Sequence, residues 1–412
     1  VTLHRDVDPA VDPDDPARTG AVEPLETAAP APPRSWDVAT VGLPAPLAVV
    51  DLDAFDANAE DLVRRANGVP IRVASKSVRC RPLLRRALAR PGFSGVMAYS
   101  VREASWLVDS GFEDVYVAYP SVDVLALSEL ALDGLAASQV TVTVDSLDHV
   151  RMLAALTRPH GLRVAVDVDS SLRVGPVHIG VRRSPVRSPE DAVAVARAAS
   201  DAGLSVVGLM FYDAQIAGLP DTSPAVRFVK ARSAASLVDR RRAVVRAVRD
   251  VADLEFVNGG GTGSVHLTAL DPVVTEVAAG SGLYGPTLFD GYDAFSPRPA
   301  AAFALAVTRR PGPGFVTVSG GGYIASGPPG WERLPALFGG RDLRMVRREG
   351  AGEVQTPLQG KGARDLQIGD RVWFRHAKAG ELCERFNALH LVSGTDLVET
   401  VPTYRGEGRN FG

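Results

Sequence analysis

Lys76 stands in the stretch "RVASKSVRC", residues 72–80, where small and apolar side chains read as the end of a buried strand. A long cationic side chain there is costly unless it is paired, solvated or used covalently. Two chemistries suit it. It can be an ammonium reaching solvent at the strand's exit, or an amine tuned by burial and by Arg72 and Arg79 to form a Schiff base. Further along, Arg173 follows an apolar run in "DVDSSLRVGP" and Tyr212 ends another in "GLMFYDAQ". Two glycine-rich turns come next, "NGGGTGS" at 258–264 and "GSGLYG" at 280–285. The first lacks the Lys-Ser/Thr ending of a nucleoside-triphosphate loop. Its glycines let backbone N–H groups approach an anion, and Thr262 and Ser264 add hydroxyls, which suits a phosphate monoester. A tight strand-to-helix turn is the plain alternative.

The elements that must position these residues form a regular alternation. Eight β-branched runs, "IRVASKS", "GVMAYS", "DVYVAYP", "VTVTVDS", "RVAVDVDS", "SVVGLMFY", "LEFVN" and "VVTEVAAG", are separated by helical patterns. Such runs are parallel strands buried on both faces. Ser100 with Glu103 reads as a helix start that runs to Gly111, and Ser188-Pro189-Glu190-Asp191 as another that closes near Gly203. Asp53 is a plausible cap for the helix after "PLAVVDLDAF". Eight units over about 215 residues point to a (β/α)8 barrel, with an open doubly wound sheet as the alternative. In a barrel, functional side chains sit at the C-terminal ends of the strands, which is where Lys76, Arg173, Tyr212 and both glycine turns fall. After Gly285 the chain changes to short strands split by Gly and Pro, a β-rich second domain. The expected organisation is a Pro/Ala/Asp-rich flexible or surface-draped tail over 1–36, a barrel over 37–285 and a β-rich domain over 286–412. The strand at 47–52 could pair with the second domain instead of the barrel.

Composition narrows the classes. The chain has 412 residues, 46% hydrophobic, with a formal net charge of −3. No basic run or aromatic-basic stripe argues for nucleic acid. No apolar stretch nears 18 residues, so no membrane span is expected, and the N-terminus lacks the order of a signal peptide. Two cysteines do not make a disulfide framework, and a cytoplasmic protein is the default expectation.

Taken in order, the strand-terminal lysine, the arginine with a following glycine, the glycine-rich turn and "GSGLYG" resemble the pyridoxal-phosphate enzymes of the alanine racemase fold. "VVDLDAFDANAEDL" is similar to the segment that opens those proteins, and "MAYSVREASWLVDSGFEDVYVAYP" to their next two units. The C-terminal half looks closer to the D-threonine aldolase and D-serine dehydratase branch, and the resemblance spans about residues 44–400. It implies that Lys76 holds pyridoxal 5'-phosphate as a Schiff base and that Arg173 lies near the cofactor's phenolic oxygen or the substrate carboxylate. It implies Tyr212 beside the ring, and Gly260, Gly261, Thr262, Gly282 and Leu283 around the phosphate. Arg173 as a surface ion pair and Tyr212 as core packing are the plain alternatives. The expected substrate is a small D-3-hydroxyamino acid, cleaved between Cα and Cβ or dehydrated and deaminated, in a homodimer. A racemase or epimerase of the same fold is the runner-up, and a non-catalytic cofactor-binding protein the third reading.

Two departures from the family stand out. Ala278 takes the position where alanine racemases carry an arginine facing the pyridine nitrogen, which weakens the racemase reading. The aldolase and dehydratase branch also holds a divalent ion, Zn or Mn, with a His-x-Cys or His-x-Asp pair. Here the region reads "RHAKAGELCERFN", so Lys378 stands two residues after His376. His376 with Cys383 is the remaining candidate metal pair, though not at the family's spacing. His178, Arg182 and Arg183 could form an electropositive rim or only a solvated loop.

Overall fold

A computed structural model describes residues 32–157, 161–339 and 342–412. Its first strand, β1 (Leu47–Asp51), is followed by the helix Leu52–Arg65. Then come β2 (Ile71–Ala74), β3 (Phe93–Ala98), β4 (Val115–Pro120), β5 (Val140–Val144) and β6 (Arg163–Asp167). A small hairpin, β7 (Leu172–Val174) and β8 (Val177–Ile179), interrupts the series before β9 (Ser205–Phe211), β10 (Phe256–Gly259) and β11 (Glu276–Ala279). The eight strands β2–β6 and β9–β11 form a closed parallel barrel, β11 returning to β2 through Val277↔Ile71 and Ala279↔Val73. These are the eight runs expected from the sequence. Strand β5, "VTVTV", is buried at every position, as a strand covered on both faces must be.

The helices start and stop for local reasons. Ser188 and Asp191 form a reciprocal capping box, and that helix ends before Gly203 at φ 72. The Ser100 side chain accepts from the Glu103 amide, whereas Glu103 turns back to the Tyr99 amide at 2.8 Å. The helix Leu52–Arg65 is capped by Asp51, which accepts from the Ala54 amide at 2.9 Å, and not by Asp53. Asp51 is the last residue of β1 and so ties strand to helix.

The remaining strands are β12 (Ala301–Gly312), β13 (Phe315–Ser319), β14 (Ala336–Leu337), β15 (Arg344–Met345), β16 (Gln355–Gln359), β17 (Arg371–Arg375), β18 (Ala388–Ser393) and β19 (Asp396–Pro402). They build a second, mostly antiparallel sheet in the order β15-β16-β13-β12-β1-β18-β19, with β17 also beside β12. Strand β1 lies inside this sheet, antiparallel to β12 (Leu47↔Ala304) and parallel to β18 (Val50↔Leu391). Residues 1–31 of the expected tail lie outside the described residues. Its last part is packed: in the helix Arg34–Ala39, Trp36 is 1% exposed, with Trp373 and Phe338 each 5.6 Å away. Among the described residues no helix is long and apolar enough to cross a membrane.

One charged cluster is sealed inside the barrel. Arg72, 2% exposed, donates to both oxygens of Glu276 at 2.7 and 2.8 Å and to the Asp114 carbonyl at 2.7 Å. Asn258 adds a bond to Glu276 at 2.8 Å. The pair therefore bridges β2, β10 and β11 where the barrel closes, and its carboxylates raise the Arg72 pKa against the opposing effect of burial. Removing one member of a buried pair leaves an uncompensated charge. Arg72→Met is expected to cost about 3–5 kcal/mol in unfolding free energy, read from urea denaturation; a loss under about 1 kcal/mol would show that the pair is dispensable.

Candidate active site

Strand β2 ends in a single 3-10 turn, Ser75–Ser77, which lifts Lys76 onto the C-terminal rim of the barrel. Three bonds pin this turn, two of them from distant elements. The Tyr284 hydroxyl donates to the Val78 carbonyl at 2.8 Å, the Cys383 thiol donates to the same oxygen at 3.2 Å, and Arg79 donates to the Lys76 carbonyl at 3.0 Å. Gly380 completes the fit, because a Cβ there would lie 1.7 Å from the Lys76 carbonyl oxygen. With its backbone fixed, the half-buried Lys76 reaches Tyr119 at the end of β4, Nζ to Oη 2.5 Å.

Around this pair the rim supplies aromatic faces and charge. The Arg183 guanidinium lies 5.8 Å from the Tyr119 ring and 5.1 Å from the Tyr212 ring. Burial raises the Tyr119 phenol's pKa, but Lys76 and Arg183 outweigh it and leave the net shift downward. At Tyr212 burial wins over the same two cations, and the phenol is held protonated. Asp167, at the end of β6, is 7% exposed and its pKa is pushed up to about 7, first by burial and then by Asp145, with Arg183 opposing.

The two glycine turns meet beside Tyr212. Gly260 takes φ +75, and a Cβ on Gly261 would lie 3.5 Å from the Tyr212 ring. Buried Asp213 holds the first turn by accepting from Ser264 at 2.8 Å and Thr268 at 3.1 Å. The Thr262 hydroxyl accepts from the Gly282 amide at 3.1 Å, and Ser77 and Ser281 share a hydrogen bond of 2.9 Å. Lys76, "NGGGTGS" and "GSGLYG" are thus joined into one rim. Among the expected anion donors, the amides of Gly260, Gly261, Gly282 and Leu283 bond to Phe211, Ser264, Thr262 and Gly280. Among the described residues the amides of Thr262 and Gly263 have no partner, so the tip of the first turn is where backbone donors are open to an anion. A Cβ on Gly263 would strike the Ala217 carbonyl at 2.2 Å, so the tip admits only glycine. Free amides beside an aromatic face and a rim amine fit a phosphorylated pyridine aldehyde.

Two expected groups have other partners in this structure. Arg173 lies on the β7–β8 hairpin with its side chain 47% exposed, and it donates to Asp169 at 2.8 Å. Arg187 shares that carboxylate at 2.9 Å, an ion pair of the kind the plain reading describes. The guanidinium beside the tyrosines is Arg183. The second is the candidate metal pair. Cys383 is turned to the Val78 carbonyl with Tyr284 3.9 Å away, and burial pushes its thiol up to about 12, so no thiolate is offered. His376 is 4% exposed with neither ring nitrogen in a well-formed hydrogen bond. Burial and Arg375 lower its pKa to about 3, outweighing the nearby Ala301 carbonyl. Among the described residues no group of three or more His, Cys, Asp or Glu side chains could hold a metal ion, so the donors do not fit the family's divalent ion. Tyr119 and Asp167 were missed as members of the site, and Arg183 was read only as part of a possible electropositive rim. Each follows from the strand-end rule or from the loop after Arg173, but only barrel closure brings them together.

This barrel, with a lysine on its rim and a β sheet set against it, defines a class, and comparison with known proteins agrees. The family described as alanine racemase, N-terminal domain, matches residues 50–287, and the chain belongs to it, in the fold-type III class of pyridoxal-phosphate enzymes. Among curated proteins it is 29% identical over 305 residues to a D-threonine aldolase of Arthrobacter sp., covering 71% of this chain and 75% of that one. It is 26% identical to a 3-hydroxy-D-aspartate aldolase of Paracoccus denitrificans (strain Pd 1222), over 57% of this chain and 59% of the relative. Among solved structures, D-threonine aldolase from Filomicrobium marinum superposes with a TM-score of 0.75 at 24% identity, over 88% of this chain and 95% of that one. D-threo-3-hydroxyaspartate dehydratase from Delftia sp. HT23 gives 0.70 at 20% identity, over 88% and 98%. The structural likenesses establish the fold.

Asp167 makes the site sensitive to pH. Its folded pKa of about 7 lies above the 3.8 of a free carboxyl, so the folded chain binds its proton more tightly than the unfolded chain. The stability this proton supplies is full below about pH 4 and is lost as pH rises through 7. Asp167→Asn in the cofactor-free protein is expected to raise stability at pH 8 by a few kcal/mol, on the order of three pKa units, and to lose that advantage toward pH 4. A difference between variant and parent that stays flat across pH 4–8 would contradict this.

Proposed function

We propose that the chain is a pyridoxal-phosphate-dependent lyase acting on a D-3-hydroxyamino acid, by aldol cleavage or by dehydration and deamination. The observation that carries this reading is the Lys76–Tyr119 couple on the same rim as two free amides and an aromatic face. The cofactor would be held by Lys76 at its aldehyde carbon, by the Thr262 and Gly263 amides at its phosphate, and by Tyr212 and Arg183 along its ring. When bound, it accepts the electron pair released when a bond at the substrate's Cα breaks.

The rest of the work falls to the protein. Lys76 Nζ and Tyr119 Oη are within proton-transfer distance, so a proton can be exchanged between them as the amine is engaged and released. In dehydration the Lys76 amine takes the proton from Cα; in aldol cleavage the hydroxyl must lose its own. Arg183 keeps positive charge beside Tyr119, which favours its phenolate and makes it the better proton acceptor. Tyr212, held neutral, packs rather than titrates. The low identity to each named relative is why the choice of reaction and side chain belongs to the proposal. The homodimer implied by the family resemblance is carried with it.

Holoprotein incubated with D-threonine or D-3-hydroxyaspartate is expected to release glycine with an aldehyde, or a 2-oxo acid with ammonia. Inversion at Cα without either product would establish the racemase reading, and an unchanged cofactor spectrum with every amino acid would establish binding alone. Lys76→Ala should lose both turnover and the visible absorbance of the bound cofactor. Tyr119→Phe should keep the absorbance while lowering turnover about 10²-fold or more and removing a pKa from its pH profile.

A further inference from the structure

The cavity bordering the Lys76 turn is lined by the segment in which the family resemblance leads one to expect a metal-binding pair. It measures about 270 Å³, and its walls include Arg79, Tyr323, His376, Lys378, Glu381 and Arg385. Arg79 belongs both to this wall and to the Lys76 turn, where it donates to the Lys76 carbonyl. Gly380 presses the same segment onto that carbonyl. The cavity therefore borders the turn that carries the reactive lysine, and Lys378 on its wall is near enough to Lys76 to feel its charge.

Its donors are wrong for a divalent ion and right for a resident cation. His376 brings a neutral imidazole with two unpartnered nitrogens. The residue two positions on is Lys378, which donates to the Ser326 hydroxyl at 3.1 Å. Glu381, the one carboxylate on this wall free of an arginine partner, accepts from the Ser326 amide at 2.9 Å; burial lowers the Lys378 pKa, with Glu381 opposing it and Arg333 and Lys76 adding to it. Glu384 is already paired with Arg79. A metal placed among these groups would meet an ammonium, two arginines and too few ligands. Resting on the functional reading above, we infer that the Lys378 ammonium takes the place of a divalent ion on the hydroxyl side of the site, so that the chain works without a metal. An ammonium carries three N–H donors. One is spent on Ser326, which leaves two to meet the oxygen-bearing side chain of the substrate.

The test reads metal content as well as turnover. Holoprotein dialysed against a chelator is expected to contain no stoichiometric metal and to lose no activity on D-3-hydroxyamino acids. Lys378→Asp restores a His-x-Asp pair and should gain about one Mn²⁺ or Zn²⁺ per chain, measured by elemental analysis, with the gain abolished by adding His376→Ala. Lys378→Gln should keep the cofactor absorbance while kcat/KM falls roughly ten- to a hundredfold, with Lys378→Arg recovering part of the loss. One tightly bound ion per parent chain, removed by His376→Ala, would overturn the inference. So would full activity in Lys378→Gln. A metal-free parent and a metal-binding Lys378→Asp variant, with no turnover of any 3-hydroxyamino acid, would support the charge assignment and overturn the proposed reaction instead.

Discussion

Pairing between the first and last barrel strands is the constraint on which the site depends. Lys76 and the turn "GSGLYG" are about 200 residues apart in sequence, and they meet because β11 returns to β2 in register. Closure costs chain entropy that grows only slowly with loop length, and it is repaid by a continuous apolar wall on both faces of each strand. The Arg72–Glu276 pair lies across the same seam. A charge pair buried there contributes less to net stability than to register, since any slip of β2 against β11 would strand both charges.

From that seam the site is assembled in layers. Tyr284 and Cys383 hold the Val78 carbonyl, Asp213 holds the first glycine turn, and Asn58 holds the second by donating to the Leu283 carbonyl. None of these side chains needs to touch a ligand. They fix the backbone that carries Lys76 and the free amides, and a fixed backbone spares the site the cost of ordering when its ligand arrives. Cys383 shows the point well. Its sulfur looked like a donor for a metal, and its position makes it a donor for a carbonyl.

The barrel was legible because a parallel strand buried on both faces has no polar alternation to disguise it; "VTVTV" and "RVAVD" could be little else. Lys76 was legible because it is the one cation at the end of such a run. What could not be read was direction. Arg173 and Arg183 are ten residues apart on one loop, and no periodicity tells which of them turns inward. The hairpin β7–β8 decides it, and a three-residue strand leaves no pattern. The two-residue β14 was missed for the same reason and the seven-residue β19 because nearly all of it is exposed, and Asp167 looked like any acid at a strand's end until burial and Asp145 set its proton affinity.

Strand β1 gives the molecule a particular history of assembly. It is the first strand among the described residues, yet its neighbours are residues 301–304 and 390–392, which come some 250 and 340 positions later. The barrel can close from contiguous sequence while β1 waits, an apolar strand with both edges open. Contacts of such long separation form late and slowly, and an uncovered strand edge invites pairing with other chains in the meantime. The neighbouring sheet is thus also a lock: it shuts only once residues 301–304 and 390–392 have been made, and it shuts on a strand made long before them.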